Sequence, residues 1–230
     1  MIRQNCIYRY ISFLAISILL LIAQGANAQR KISLETSKTD SVPFFNGVAI
    51  SVDLVGPIQK SLGDYGQYEA ALRLNLKDKY FPIIEIGYGM ADADDPTTKL
   101  VYKTEAPYGK IGVDFNLLKN KHDIYRLFGG FRYAFTSYKF DVTSPLITDP
   151  TWGTQSPWEV KDIKASYHWA EAVFGVDVKI WKAFHLGWSL RYKLRITSNE
   201  GNYGKSWYVP GYGISDGSNL GGTFNVIFDI

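Results

Sequence analysis

The chain has 230 residues, 46% hydrophobic, 20% charged and 15% aromatic, with 25 basic and 22 acidic side chains. That length makes one domain with a sizeable core, and the aromatic and glycine content argues against a coiled coil, a helical bundle or a disordered chain. A net charge of +3 is too weak a field to point to nucleic acid as a partner.

Residues 1–28 have the three parts of a secretory signal. Arg3 and Arg9 open it, Ile11 to Ile22 is an apolar run of 12 residues, and Ala26-Asn27-Ala28 puts small residues where a signal peptidase reads. The run is too short to span a bilayer as a helix, which takes roughly 20 residues. A cut before Gln29 removes Cys6, the single cysteine, so neither a disulfide nor thiol chemistry is expected in the mature chain. Residues 29–42 then form a short periplasmic segment ahead of a domain at 43–230.

Beyond the signal the recurring feature is period-two alternation, which marks strands with two unlike faces. Val48, Ile50, Val52 and Leu54 alternate with Gly47, Ala49, Ser51 and Asp53. The second strand sets Ala70, Leu72, Leu74 and Leu76 against Glu69, Arg73 and Asn75, and the third sets Ile84, Ile86, Tyr88 and Met90 against Glu85, Gly87 and Gly89. Ile111, Val113, Phe115 and Leu117 follow, interleaved with Lys110, Gly112, Asp114 and Asn116. Leu127, Phe131, Tyr133 and Phe135 face away from Gly130, Arg132 and Ala134. Ala170 to Ile180 alternates with Glu171, Gly175, Asp177 and Lys179; Leu186 to Ile196 with Gly187, Ser189, Arg191, Lys193 and Arg195; and Leu220 to Ile230 with Thr223, Asn225 and Asp229. Eight strands of about 9–11 residues suit a membrane barrel.

The predicted connections alternate in length. Lys77–Lys79, Leu118–Asp123 and Trp181–Ala183 are tight turns; Gly56–Gln67, Ala91–Pro107, Ser137–Tyr167 and Thr197–Asn219 are long loops. Short turns at the periplasmic end and long loops outside are the asymmetry of an outer-membrane barrel.

A soluble ligand-carrying barrel also alternates, with its faces reversed. Three features favour lipid outside. The apolar face carries no charge, while the other holds seven acids (Asp53, Glu69, Glu85, Asp114, Glu171, Asp177, Asp229) and seven bases (Arg73, Lys110, Arg132, Lys179, Arg191, Lys193, Arg195), a balance suited to paired, enclosed charges. Glycine clusters on that same polar face, where small residues make room for long charged ones. Aromatics gather at both strand ends: Phe44, Phe45, Tyr80, Tyr125, Phe184 and Phe228 at one, Tyr68, Tyr88, Tyr133 and Tyr192 at the other. These are the girdles of a membrane–water interface. The expected fold is therefore all-β, an eight-stranded antiparallel up-and-down transmembrane β-barrel, its narrow interior filled by its own side chains.

The segments Lys110–Leu117 (KIGVDFNL), Gly130–Phe135 (GFRYAF), Leu186–Lys193 (LGWSLRYK) and Tyr208–Gly213 (YVPGYG) resemble the domain-of-unknown-function family numbered 6048. The resemblance covers most of the mature chain and is strongest from Tyr108 onward. It implies a small barrel in the outer membrane of Gram-negative bacteria, and implies no activity and no functional residue.

Motifs for phosphate loops, zinc and the nucleophile elbow are missing from the sequence, and no cofactor is expected. Among the histidines, His122 and His185 read as turn or girdle residues. Ser166 and His168 face outward near the loop end of the sixth strand; pairing through the turn at Lys182 sets 168 opposite 196 and brings Glu200 near Ser166. A serine, a histidine to take its proton and an acid to orient that histidine suffice for acyl transfer. The chain is therefore read alternatively as a lipid-A-type acyl hydrolase on the lipid-facing wall. Asp92, Asp94 and Asp95 offer carboxylates to a Ca²⁺ ion, or a solvated turn before Pro96. Trp152, Trp158, Trp207, Tyr208 and Tyr212 lie on proline-stiffened loops, suited to a surface partner or to capping the barrel. Glu69, Arg73, Glu85, Lys110, Asp114, Arg132, Glu171, Asp177, Arg191 and Lys193 are read as structural interior charges. The leading expectation is a non-enzymatic barrel embedded in outer-membrane lipid, serving envelope integrity or binding a surface ligand or envelope protein.

Overall fold

A computed structural model describes residues 43–94, 99–199 and 205–230, with backbone alone at 145–148 and 155–157; all belong to the unit Val42–Ile230. The expected signal and periplasmic segment lie outside the described residues, as do Asp95 and Glu200.

Eight strands close into a ring: β1 (Phe45–Asp53), β2 (Tyr65–Leu76), β3 (Tyr80–Asp94), β4 (Val101–Asn116), β5 (Tyr125–Thr148), β6 (Gln155–Trp181), β7 (Phe184–Asn199) and β10 (Ser218–Asp229). Each pairs antiparallel with its neighbour, and β10 closes on β1 through Ala49↔Asp229 to Asp53↔Asn225. Two short strands, β8 (Tyr208–Val209) and β9 (Gly213–Ile214), pair with each other between β7 and β10. A helix, α1 (Val55–Leu62), links β1 to β2.

Alternation decides which side chains meet which medium. Ile86, Phe131 and Leu220 are 66%, 67% and 71% exposed, whereas Glu85, Lys110 and Glu171 are 1%, 2% and 1% exposed. Charges inside and apolar side chains outside reverse the arrangement of a water-soluble barrel, and that overturns the ligand-carrier reading: such an exterior has no stable place in water. The outward apolar series runs over Tyr80–Met90 on β3, Tyr125–Phe135 on β5 and Ala170–Ile180 on β6. About eleven residues on a strand tilted near 45° cover roughly 25 Å, the height of a hydrocarbon band. Phe44, Phe45, Tyr80, Tyr125 and Phe228 line one rim of that band, and Tyr68, Tyr88, Tyr133 and Tyr192 the other, all exposed. The molecule is an eight-stranded transmembrane β-barrel.

The loops differ from expectation. Residues 91–107 and 137–167 are largely strand: β3 to β6 continue past the band, and the β5–β6 hairpin stays paired out to Thr148↔Gln155. Residues 56–67 hold most of α1 and the start of β2. The carboxylate of Asp53 seats that helix, accepting from Val55 N (3.1 Å), Gly56 N (3.0 Å) and, across the β1–β10 seam, Phe224 N (3.0 Å). At the other end, Lys79 N donates to Leu76 O (3.1 Å) around Lys77 and Asp78, whose φ angles of 55° and 56° make a type I′ turn without glycine.

Candidate functional site

The barrel interior is stacked in layers, and the middle one is ionic. Arg132 donates from Nε to Glu85 (3.0 Å) and from Nη1 and Nη2 to both oxygens of Asp114 (2.7 and 2.9 Å). The Nη1 of Arg191 meets Glu85 (2.7 Å) and Glu69 (3.0 Å), and Lys110 Nζ lies 2.8 Å from Glu69 and 3.2 Å from Glu171. Below them Arg73 Nη1 donates to Asp177 (2.6 Å), which Arg126 also reaches through Nε (3.2 Å). All five carboxylates are buried. Ion pairs enclosed in this way hold their partners in place, because a lone buried charge is costly. The packing leaves room for little more than a single water among Ser51, Arg73, Glu85 and Arg191.

Strict base-to-acid pairing does not hold throughout. Asp53 is satisfied by backbone amides, as described. Lys193 Nζ donates to the carbonyls of Gly211 (2.8 Å) and Tyr212 (3.0 Å). Asp229 lies at the short-turn mouth, 2.9 Å from Nε2 of an inward-facing His185, which is therefore no girdle residue. Lys179 and Arg195 are not buried. Arg126, unmarked in the sequence reading, belongs to the network; its parity with Arg132 is the signal that extending β5 by one period would have caught.

Above the ions sits an aromatic layer closed by the segment 205–217. Tyr102, Tyr108, Tyr138, Phe140, Tyr167 and Trp169 point inward and are buried together with Tyr208, Val209 and Tyr212 of that segment. Tyr102 Oη donates to Tyr208 O (2.9 Å), Tyr167 Oη to Asp216 O (2.9 Å), and Tyr208 Oη to Gly66 O (3.2 Å), while Tyr138 and Ser206 share a hydrogen bond. Two links tie the layers together: Tyr108 Oη donates to Glu69 (2.8 Å) and Trp169 Nε1 to Glu171 (2.7 Å). Glycine makes the fit possible. A Cβ on Gly89 would stand 2.7 Å from Pro210 Cα, and one on Gly211 (φ +81°) 2.5 Å from the Tyr108 ring. Of the loop aromatics, then, Tyr208 and Tyr212 form the cap, whereas Trp152 stays 79% exposed at the tip of the β5–β6 hairpin.

Ser166 and His168 do share the outward face of β6. The pairing slips by one from expectation, with His168 opposite Thr197 and Ser166 opposite Asn199, because of an irregularity between His168 and Trp169. Two positions apart on one strand face is about 6.6 Å between backbones, and the His168 Nδ1 engages the Tyr133 hydroxyl (2.8 Å). Glu200 lies outside the described residues. Asp92 and Asp94 are exposed at the outer end of β3, Asp92 within 3.8 Å of Lys103; among the described residues no three His, Cys, Asp or Glu side chains converge as metal ligands.

The family model described as Domain of unknown function (DUF6048) matches residues 7–229, and the chain belongs to that family. No curated protein matches it. The solved structures similar to it include two bacterial β-barrels. The N-terminal β-barrel domain of Pseudomonas aeruginosa OprF has 14% identity and a TM-score of 0.39, over 80% of this chain and 98% of that one. Ail, the attachment invasion locus protein of Yersinia pestis, solved in complex with the heparin analogue sucrose octasulfate, has 11% identity and a TM-score of 0.36, over 80% and 93%.

Proposed function

We propose that this DUF6048 member is an outer-membrane barrel that passes no solutes and acts without catalysis, stabilising the envelope or binding a partner at the cell surface. The observation that carries this reading is the filled interior: an aromatic cap above and, below it, an ionic layer with space for about one water among its side chains. The secretory-type N-terminus and the lipid-facing band support the outer membrane as its location, since closed barrels are the β-structures able to span a bilayer. The β3–β6 strands, continued beyond the band and tipped by Trp152, supply the rigid surface on which a partner docks. Electrophoresis of the outer-membrane fraction with and without boiling is the direct test. A mobility shift on boiling, with no soluble periplasmic pool, is expected; a soluble, unshifted protein would refute the reading.

A further inference from the structure

Directly opposite residues on the outward face of β5 and β6 form a ladder from lipid towards water: Tyr133↔Ala170, Phe135↔His168, Ser137↔Ser166 and Lys139↔Lys164. Successive rungs are about 6.6 Å apart along the strand, roughly 4.7 Å along the membrane normal at a 45° tilt. The lowest two are apolar and aromatic, the His168 ring lying stacked on Phe135 with centroids 6.4 Å apart and bonded to Tyr133. Next comes a pair of hydroxyls, and then, two rungs above Phe135, a pair of lysines. Two lysines directly across an antiparallel pair repel each other unless an anion sits between them. Asp162 accepts from Lys139 Nζ (2.7 Å) and feels the charge of Lys164, and Asp141 adds its charge at Lys139. An open depression of about 500 Å³ lies beside them, lined by Pro107, Ser137, Lys139, Lys164 and one acid, Glu105.

We propose that this ladder is a binding site for the phosphorylated headgroup of an outer-leaflet lipid. Its phosphate lies between Lys139 and Lys164, its polar linkage against Ser137 and Ser166, and its acyl chains along Phe135, Tyr133 and the band below. The argument is one of position and complementarity. Phosphates of a bilayer sit just above the hydrocarbon band; the two lysines are rooted roughly 9 Å above Phe135, where that band ends, within reach of their long side chains, and basic residues near that depth are drawn to anionic lipid. Ser166 and His168 thereby gain a role as headgroup and rim contacts. The site rests on the outer-membrane reading above.

Full-length protein is reconstituted in phosphatidylcholine nanodiscs containing a minor share of bis-phosphorylated lipid A, and retained lipid is read by native mass spectrometry. The wild type is expected to keep lipid A, and K139Q/K164Q to keep about tenfold less. Dephosphorylated lipid A should be held by the wild type no better than the double variant holds the phosphorylated form. K103Q, one strand away, should behave as wild type. Equal retention of phosphorylated and dephosphorylated lipid by the wild type overturns the site whether or not the double variant folds. Competition by millimolar inorganic phosphate would replace the lipid with a free anion, and recovered lipid A short of an acyl chain would replace binding with hydrolysis at Ser166; either result overturns the proposal. A barrel that inserts and shifts on boiling but retains no lipid A refutes this inference alone, whereas one that does not insert refutes the outer-membrane reading as well.

Discussion

Arg132 shows how much rests on one side chain in the lumen. It is the partner that reaches both Glu85 and both oxygens of Asp114. Glu85 keeps Arg191 when Arg132 is lost, but among the described residues Asp114 is left with only Arg73 Nε at 3.8 Å. Arg132→Met should therefore cost about 3–5 kcal/mol, the penalty of a buried charge stripped of its partner. Adding Asp114→Asn should recover part of that loss. Urea unfolding of the barrel in lipid vesicles measures both; a single-variant cost below about 1 kcal/mol would show that the network does not hold the lumen together. At the short-turn end, partial burial pushes the Asp78 carboxyl up, but hydrogen bonds from Asn75, Asn46 and His122 outweigh it and hold the carboxyl below the ordinary range. A depressed acid contributes stability that is complete above its unfolded value of about 3.9 and fades as pH falls through the folded one. Asp78→Asn should accordingly lower stability at pH 7 and flatten the acid limb of the stability curve below about pH 4. An unchanged acid limb would mean that the type I′ turn draws nothing from this carboxylate.

Among the elements, the mouth segment depends on the absence of one side chain and the presence of another. Gly89 on β3 gives Pro210 room, and Lys193 on β7 ties down two carbonyls of the segment. Gly89→Val and Lys193→Met should each loosen residues 205–217 while leaving the ring closed. Externally added protease should then cut there faster than in the wild type, with the mobility shift on boiling retained; cleavage no faster in either variant would show that other contacts hold the cap. The sequence makes the band legible because lipid imposes one rule on every strand: apolar out, over about eleven residues. Above the band the rule inverts. On β4, Tyr102, Ala106 and Tyr108 turn inward while Lys103 and Glu105 face water; Tyr138 and Phe140 do the same on β5 against Lys139, as do Ile163 and Ala165 on β6 against Lys164. A search for outward apolar residues stops where the hydrocarbon stops, so these stretches read as loops. Asp53 and Lys193 were visible as inward charges, but their partners are backbone groups, which leave no mark in composition. Tyr108 and Trp169, which hold Glu69 and Glu171, lie on the inverted stretch and escaped for the same reason.

For the whole molecule, the proposed reading sets two closures in series, and that makes conductance a sharp test. An eight-stranded ring is just wide enough for its own side chains to fill. Replacing residues 206–216 with a short flexible linker takes away Tyr208, Val209 and Tyr212 and exposes Tyr108 and Trp169 to water. It leaves Lys110, Arg132 and Arg191 locked to their carboxylates one layer below. In planar bilayers the linker variant should therefore stay as silent as the wild type. Opening should need both changes together: the linker plus Arg132→Ala and Arg191→Ala, which empty the ionic layer of its two widest side chains. Even then the barrel has to remain folded with buried carboxylates unpaired, so Glu85→Gln belongs in the same variant to lower the cost of the vacancy. Steady single-channel steps from the linker variant alone would show that the cap by itself seals the barrel and that the ion pairs are free to part. Silence in the linker variant and current in the combined one would make the ionic layer the true barrier, with the aromatic cap as the platform that the β3–β6 hairpins need in order to stand above the membrane.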